Sequence, residues 1–514
     1  LIAADPIGEA FAAAQIAVSS SAGSALRQTA LRRAEDDGPL ADLLRARQAA
    51  VNRAAIIEQE LARRFLEPER QTRLAGEAET IRTRIDEIDA EIAASFPDFS
   101  ALTRPEPLSL DAAKDLLAPD EALIFVFTTG SETYVWTLTP ERTTWVKTEV
   151  ARSELAESVA SIRRSLGQDA LLRAAEPFDE EPEAFAAPDF DFTSAWLIYR
   201  ELFWATDAIL EEIEHIYFVL DSPLAGLPLS LLITDDELYE GPQTTEAFRA
   251  RNWFFQSWAH TVLPSVESLA LIKAREAKPR DDLHLVGFGD PSLTGRAWPR
   301  AGQSIMDGAL ANPDALRALT PLPGTRRELA RIARRFPQSD VFLGDQATEA
   351  VLRDAPLSDA DVLHFATHGL LTGELEGLAE PALVLTPPSE AAPLNDGLLT
   401  ASEISGLDLD ADWVVLSACN TAGGDGRPDA DGLSGLARAF LFAGARTLVV
   451  SHWPVRDDAA AELTSDMFDA WTEDPSRRKA AALQSAMARM LMASSPDLAH
   501  PSAWAPFILV GDGG

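Results

Sequence analysis

Asp412-Trp413-Val414-Val415-Leu416-Ser417-Ala418-Cys419-Asn420-Thr421-Ala422-Gly423-Gly424 is an apolar run closed by the only cysteine of the chain. A second run, Asp361-Val362-Leu363-His364-Phe365-Ala366-Thr367-His368-Gly369, ends in a histidine followed by glycine. Each reads as a buried strand that delivers a reactive side chain to its carboxyl end. A strand covered on both faces is apolar throughout instead of alternating. In open α/β sheets the carboxyl edge is where sites assemble. A lone thiol and a histidine presented in this way point to a cysteine nucleophile with its general acid/base.

Around these two runs, strand and helix alternate from Asp282 onward. Leu283–Gly289 reads as a strand and Gly324–Phe336 as a helix; Asp340–Leu343 and Thr348–Asp354 repeat the pair. After the histidine strand come a short strand at Ala382–Thr386 and the cysteine strand. A helix at Gly432–Phe442, a strand at Arg446–Val450, helices at Asp457–Ala470 and Arg478–Met492, and a strand at Phe507–Val510 follow. Such alternation means right-handed crossovers and a mostly parallel sheet with flanking helices.

Upstream, Glu121–Thr128 and Glu132–Thr139 are β-rich and joined by Thr-Gly-Ser, a hairpin signal, with Thr143–Val150 as a third strand. A helix at Ser153–Leu166, helices from Thr193 to Glu212 and a strand at His215–Leu220 make residues 101–280 a degenerate companion α/β subdomain. It offers no cysteine and no histidine at a matching strand end. Glu176–Phe192 carries seven acidic residues and three prolines and reads as an exposed loop. Residues 1–100 read as helical: Ile81, Ile85, Ile88 and Ile92 share one helix face, Leu40 to Leu61 give a similar stripe, and Pro68 separates the two as a hairpin. The expected division is therefore a helical region at 1–100, the companion subdomain at 101–280 and a catalytic domain at 281–514.

The chain holds 81 acidic and 44 basic residues in 514, a formal charge of −37. So negative a surface disfavours nucleic acid and anionic lipid, which need basic patches, and favours basic partners. No apolar run is long enough to span a membrane, and Leu1–Gln15 lacks the pattern of a secretion signal. The start at Leu1 instead of methionine reads as a fragment or a processed form. One cysteine excludes an internal disulfide framework and fits a reducing, cytoplasmic setting.

A free thiol with pKa near 8.5 is only about 3% ionised at neutral pH, so an imidazole must take its proton and later return it to the leaving amine. Cys419 follows His368 by 51 residues; caspases place the histidine about 50 residues upstream. Gly369 lets a substrate carbonyl approach the backbone, and its N–H joins that of Cys419 as an oxyanion donor. His364 and His368 form H-x-x-x-H, but no glutamate follows the first and the segment reads as strand, so no metal or other cofactor is expected. His364 reads as a packed strand residue.

Five ordered motifs carry a family resemblance: HFATHG (His364–Gly369), DGLLTASEI (Asp396–Ile404), VVLSACNTAGG (Val414–Gly424), GLARAFLFAGARTLVVSHWPV (Gly435–Val455) and WAPFILVG (Trp504–Gly511). Together they resemble the CHAT family, caspase-like peptidases related to separase and commonly found behind tetratricopeptide repeats. The resemblance is strong over about 280–514 and looser over 100–280. It implies a caspase-like fold and a cysteine endopeptidase with His368 and Cys419 as its dyad. It further implies partner-gated activity on one dedicated protein, in a bacterial stress or anti-phage response. The N-terminal helices are expected to recruit the activating partner.

Ser417 stands where caspases carry glutamine, so specificity for aspartate is not implied. By analogy with caspase-fold pockets, the substrate side chain would be lined by Asp290, Asp396, Ser417, Ser451, Trp453 and Asp458. Their carboxylates favour arginine or lysine. Each of these aspartates is also placed where turn or cap residues occur. The competing class is a caspase-fold scaffold without catalysis; a thiol redox sensor is a further one.

Overall fold

The two buried runs pair side by side in one eleven-stranded sheet. The computed structural model describes residues 5–18, single positions between 43 and 57, then 68–95, 107–167, 189–275, 282–295, 306–307, 310–372, 378, 380–418, 434–474 and 476–514. Cys419, residues 420–433, most of the acidic stretch after Glu176 and residues 19–42 lie outside them.

Among the described residues, α1 (Pro6–Ala17), α2 (Pro68–Ser95) and a short helix at Leu110–Asp115 precede the sheet. The first part of the sheet is built from β1 (Glu121–Thr128), β2 (Thr133–Leu138), β3 (Thr143–Thr148), β4 (His215–Val219) and β5 (Ala259–Val262). Between β3 and β4 run α3 (Arg152–Ser165) and α4 (Phe192–Leu202). The second part comprises β6 (His284–Pro291), the small hairpin β7 (Met306–Asp307) and β8 (Leu310–Ala311), α5 (Pro323–Ala333), β9 (Gln338–Gly344) and α6 (Glu349–Asp354). The histidine strand is β10 (Val362–Ala366), followed by β11 (Gly369–Leu370), β12 (Ala382–Val384), β13 (Leu398–Thr400) and α7 (Ala401–Ser405). The cysteine strand is β14 (Trp413–Ser417); α8 (Gly435–Ala443), β15 (Thr447–Ser451), α9 (Asp457–Glu473), α10 (Lys479–Leu491) and β16 (Phe507–Gly511) complete the chain.

Strand order is β3-β2-β1-β4-β5-β16-β15-β14-β10-β6-β9. From β15 to β9 every pair is parallel, so the expected mostly parallel sheet is present. β16 runs antiparallel to β15, and β5, β4 and β1 run parallel to β16. The carboxyl ends of β1, β4 and β5 therefore face the sheet edge opposite to the ends of β10 and β14. Two expectations differ. Ala382–Val384 leaves the main sheet to join β11-β12-β13, because it pairs with the residues that directly follow His368. β5 was not anticipated: four residues of Ala-His-Thr-Val give too short an alternation to read.

Side chains of successive residues point to opposite faces, and both faces are buried. Leu285, Val362, Trp413 and Val449 pack under α9 and α10 with Phe468 and Met487. Val286, Phe365, Leu416 and Val450 pack under α7 and α8 with Ile404 and Phe440. Each such side chain contributes about 1.5–3 kcal/mol by leaving water. Helix starts follow local rules: Thr348 and Ser434 accept from the backbone N–H of Val351 and Ala437, and Thr400 with Glu403 forms a capping box. In the N-terminal region Phe11 packs edge-on against Phe125 and Trp136, and Ile57 clusters with Leu74 and Ala78.

α5 lies close on β6 because two glycines face it. A Cβ at Gly287 would come 2.9 Å from a Leu329 methyl, and one at Gly289 2.6 Å from Leu329 and 2.9 Å from the Ala366 carbonyl oxygen. Gly289→Ala is expected to lower stability by about 1–3 kcal/mol through overpacking, read as a lower urea midpoint at unchanged slope.

Candidate active site

In the parallel ladder of β10 and β14, Ala366 pairs with Ser417. His368 stands two residues beyond the first and Cys419 two residues beyond the second. Neighbouring strands are about 4.8 Å apart, so the ladder brings both chain segments to one point of the sheet edge in matched register. Cys419 itself lies outside the described residues.

The chain leaves β10 at Thr367, whose hydroxyl donates to the Val384 carbonyl, while the Val384 N–H donates to the His368 carbonyl over 2.9 Å. These bonds fix the backbone on both sides of the imidazole. The His368 Nε2 lies 2.7 Å from the Thr320 carbonyl oxygen. A carbonyl can only accept, so the proton sits on Nε2 and Nδ1 keeps its lone pair. Burial lowers the pKa of His368, partly offset by the Thr320 carbonyl. Gly369 opens β11 and pairs with Leu383. Because its neighbour His368 supplies the ladder carbonyl, Gly369 occupies a non-hydrogen-bonded position and its N–H points away from β12.

The residues expected to line a substrate pocket occupy diverse settings. Asp290 ends β6 with φ 45, in the left-handed region, held there by the Thr325 hydroxyl on its N–H and by Arg326 Nε at 2.6 Å from its carboxylate. Both carboxylate oxygens of Asp396 accept backbone N–H groups, from Ala311 at 2.7 Å and Leu398 at 3.0 Å. Asp458 is exposed at the start of α9 and paired with Arg456, which lowers its pKa. Ser451 is buried and donates to the Ala418 carbonyl over 2.8 Å, so it braces the residue before Cys419. Trp453 is wholly buried in the core, its Nε1 donating to the Ser502 carbonyl. Ser417 is buried as well and turns toward α5, where its hydroxyl donates to Glu328. The structure thus gathers Ser417 and Ser451 at β14 and its end, and engages each of the three aspartates within the fold. Among the described residues no group of three or more His, Cys, Asp or Glu side chains is arranged to hold a metal ion.

Residues 195–512 match the family model for the CHAT domain. The chain belongs to the CHAT-domain family. The motifs implied a mostly parallel α/β sheet with flanking helices, and that is the fold class observed. Among curated proteins, the CHAT chain is similar to tetratricopeptide repeat protein 28 of Mus musculus, 27% identical over 317 residues, and to that of Homo sapiens, 25% identical over 316 residues. The matched part covers 55% of this chain and 12% of either relative. Among solved structures it is similar to the Saccharomyces cerevisiae separase–securin complex, with a TM-score of 0.42, 11% identity and coverage of 78% of this chain and 30% of that one. It is also similar to the Arg-specific cysteine proteinase gingipain R, with a TM-score of 0.34, 10% identity and coverage of 59% and 63%. No helix among the described residues of the CHAT chain is long and apolar enough to cross a membrane.

Three participants escaped the sequence reading. Thr320 acts through its backbone, for which no side-chain signal exists. Glu328 did leave a signal: it falls on the buried stripe of α5 with Thr325, Leu329 and Ile332, and a glutamate there demands a partner. Glu349, at the start of α6, is fully buried, and one of its oxygens accepts the N–H groups of Asp396 at 2.7 Å and Gly397 at 2.6 Å. Its other oxygen faces Arg353 at 3.6 Å, with Glu403 and Asp396 adding negative charge nearby.

Burial, the largest cause, raises the Glu349 pKa to about 7 from an ordinary 4.5. A carboxyl group raised in the folded state stabilises the fold below its unfolded pKa and loses that contribution as pH climbs through the folded value. A shift of this size corresponds to about 3 kcal/mol. The protein is therefore expected to lose stability between about pH 4.5 and 7 through this group. Glu349→Gln should flatten that part of the pH–stability curve, measured by urea unfolding across the range.

Proposed function

We propose that the chain is a cysteine endopeptidase whose dyad is Cys419 and His368. The observation that carries this reading is the Ala366–Ser417 register, which aligns the two segments leading to sulfur and imidazole. The Nδ1 lone pair of His368 takes the thiol proton, and the thiolate attacks a peptide carbonyl carbon. The N–H groups of Gly369 and Cys419 donate to the oxyanion of the tetrahedral intermediate, where preorganised donors cost no reorganisation. The imidazolium then gives its proton to the leaving amine as the C–N bond breaks. The resulting thioester is hydrolysed by a water that His368 deprotonates. Thr320 acts as the orienting third group: its carbonyl fixes the tautomer and stabilises the imidazolium as it forms. The acidic surface favours a basic protein substrate, and the N-terminal helices are the proposed docking site of an activating partner.

Wild type should cleave its protein substrate, while Cys419→Ala and His368→Ala should each lose at least about a thousandfold in kcat/KM. Equal processing by wild type and Cys419→Ala in gel-based assays would end the peptidase reading. Because burial lowers the pKa of His368, its ring stays unprotonated below the usual value. The acid limb of kcat/KM is therefore expected below about pH 6.5, and a limb above that pH would contradict the assigned environment.

A further inference from the structure

Glu328 is a carboxylate with 1% exposure inside the layer between the sheet and α9. Three donors from three different elements converge on it. The His364 Nε2–H of β10 lies 2.9 Å from Oε1, the Thr464 hydroxyl of α9 donates to the same oxygen over 2.9 Å, and the Ser417 hydroxyl of β14 donates to Oε2 over 3.2 Å. Two of these donors sit on the strands that lead to the dyad: His364 is four residues before His368, and Ser417 is two before Cys419. Gly287 and Gly289 permit α5 to approach the sheet closely, which brings Glu328 within reach of both strands.

A carboxylate removed from water costs several kcal/mol unless it is well served by donors. A packed layer of valine and leucine at these positions would cost nothing of the kind, so stability alone does not favour this cluster. Its geometric effect is specific. A hydrogen bond is directional and fixes distance, whereas apolar contacts allow strands to slide. Here one rigid planar group holds β10 by one oxygen and β14 by the other, just below the point where both strands end. The same chain segment supplies Thr320, whose carbonyl orients His368 from above. Residues 320–328 thus grip the catalytic histidine at its ring and its strand, and the cysteine strand at Ser417.

We propose that Glu328 is a positioning residue for the dyad: through Ser417 and His364 it sets the separation and register of the two strand ends, and so the proton sharing between Cys419 and His368. This inference rests on the peptidase reading above, and its test separates the two. The chain has a single cysteine, so alkylation by iodoacetamide reports on Cys419 without any peptide substrate. The second-order rate is measured between pH 5 and 10 for wild type, His368→Ala, Ser417→Ala, Glu328→Gln and Leu483→Ala, the last a core substitution away from the strand ends that lowers stability alone.

In wild type the thiol should titrate well below the free value of about 8.5. His368→Ala should move the titration toward that value. Ser417→Ala and Glu328→Gln should move it the same way by about one unit, seen as roughly tenfold slower alkylation at pH 6. Leu483→Ala should lower the thermal midpoint and leave the profile in place. A wild-type profile in folded Ser417→Ala, with His368→Ala shifted, would overturn the positioning role and leave the dyad standing. An unshifted His368→Ala profile would remove the dyad and this inference with it. Ser417→Ala deletes one hydroxyl and keeps the test available should Glu328→Gln fail to fold.

Discussion

The architecture depends on one pairing, the parallel ladder of β10 and β14 in the middle of a sheet covered on both faces. Val362 through Ala366 and Trp413 through Ser417 are all buried. Burial on both faces makes register expensive to change, since a slip by one residue would exchange the two apolar sets between layers. That constraint brings the segments leading to His368 and Cys419, carried on separate strands, to one edge of the sheet. Matched register substitutes for a direct tether.

A few polar groups of this dry layer answer one another. Glu328, His364, Ser417 and Thr464 form one cluster, and Ser451 binds the Ala418 carbonyl. A partly satisfied group here would cost more than an apolar replacement. These side chains are therefore better understood as fixing geometry than as adding stability. The strained backbone of Asp290, clamped by Thr325 and Arg326, lies at the end of the adjoining strand β6 and belongs to the same rim.

The reversal between β15 and β16 divides the sheet into two oppositely directed halves. The half containing β1, β4 and β5 cannot bring the carboxyl ends of those strands to the rim formed by β10, β14 and β15. It contributes by packing and by a few long side chains instead. Arg163 of α3 donates to the Gly226 carbonyl at 2.8 Å and reaches the His452 carbonyl at 3.5 Å, beside Ser451. Partial burial lowers the pKa of this guanidinium. The rim at the ends of β10, β14 and β15 is thus buttressed from the other half of the sheet.

Much of this was legible in the residues. Continuous apolar runs marked β4, β6, β10, β14, β15 and β16, because burial on both faces leaves a local record in each strand. The same runs placed His368 just beyond the end of β10, and five motifs placed the chain in its family. What could not be read was whatever depends on which strands become neighbours. The reversal at β16, the separate sheet of β11 to β13, the backbone carbonyl of Thr320 and the meeting of Glu328 with Ser417 and His364 all join positions far apart in the chain. An aspartate that binds a turn and one that awaits a substrate look alike as letters, and the Asp396 carboxylate was assigned only when the N–H groups of Ala311 and Leu398 were found on it. Periodicity and local chemistry are properties of short segments and so belong to the sequence, whereas partnership across the fold is decided by packing, which exists only once the chain has closed on itself.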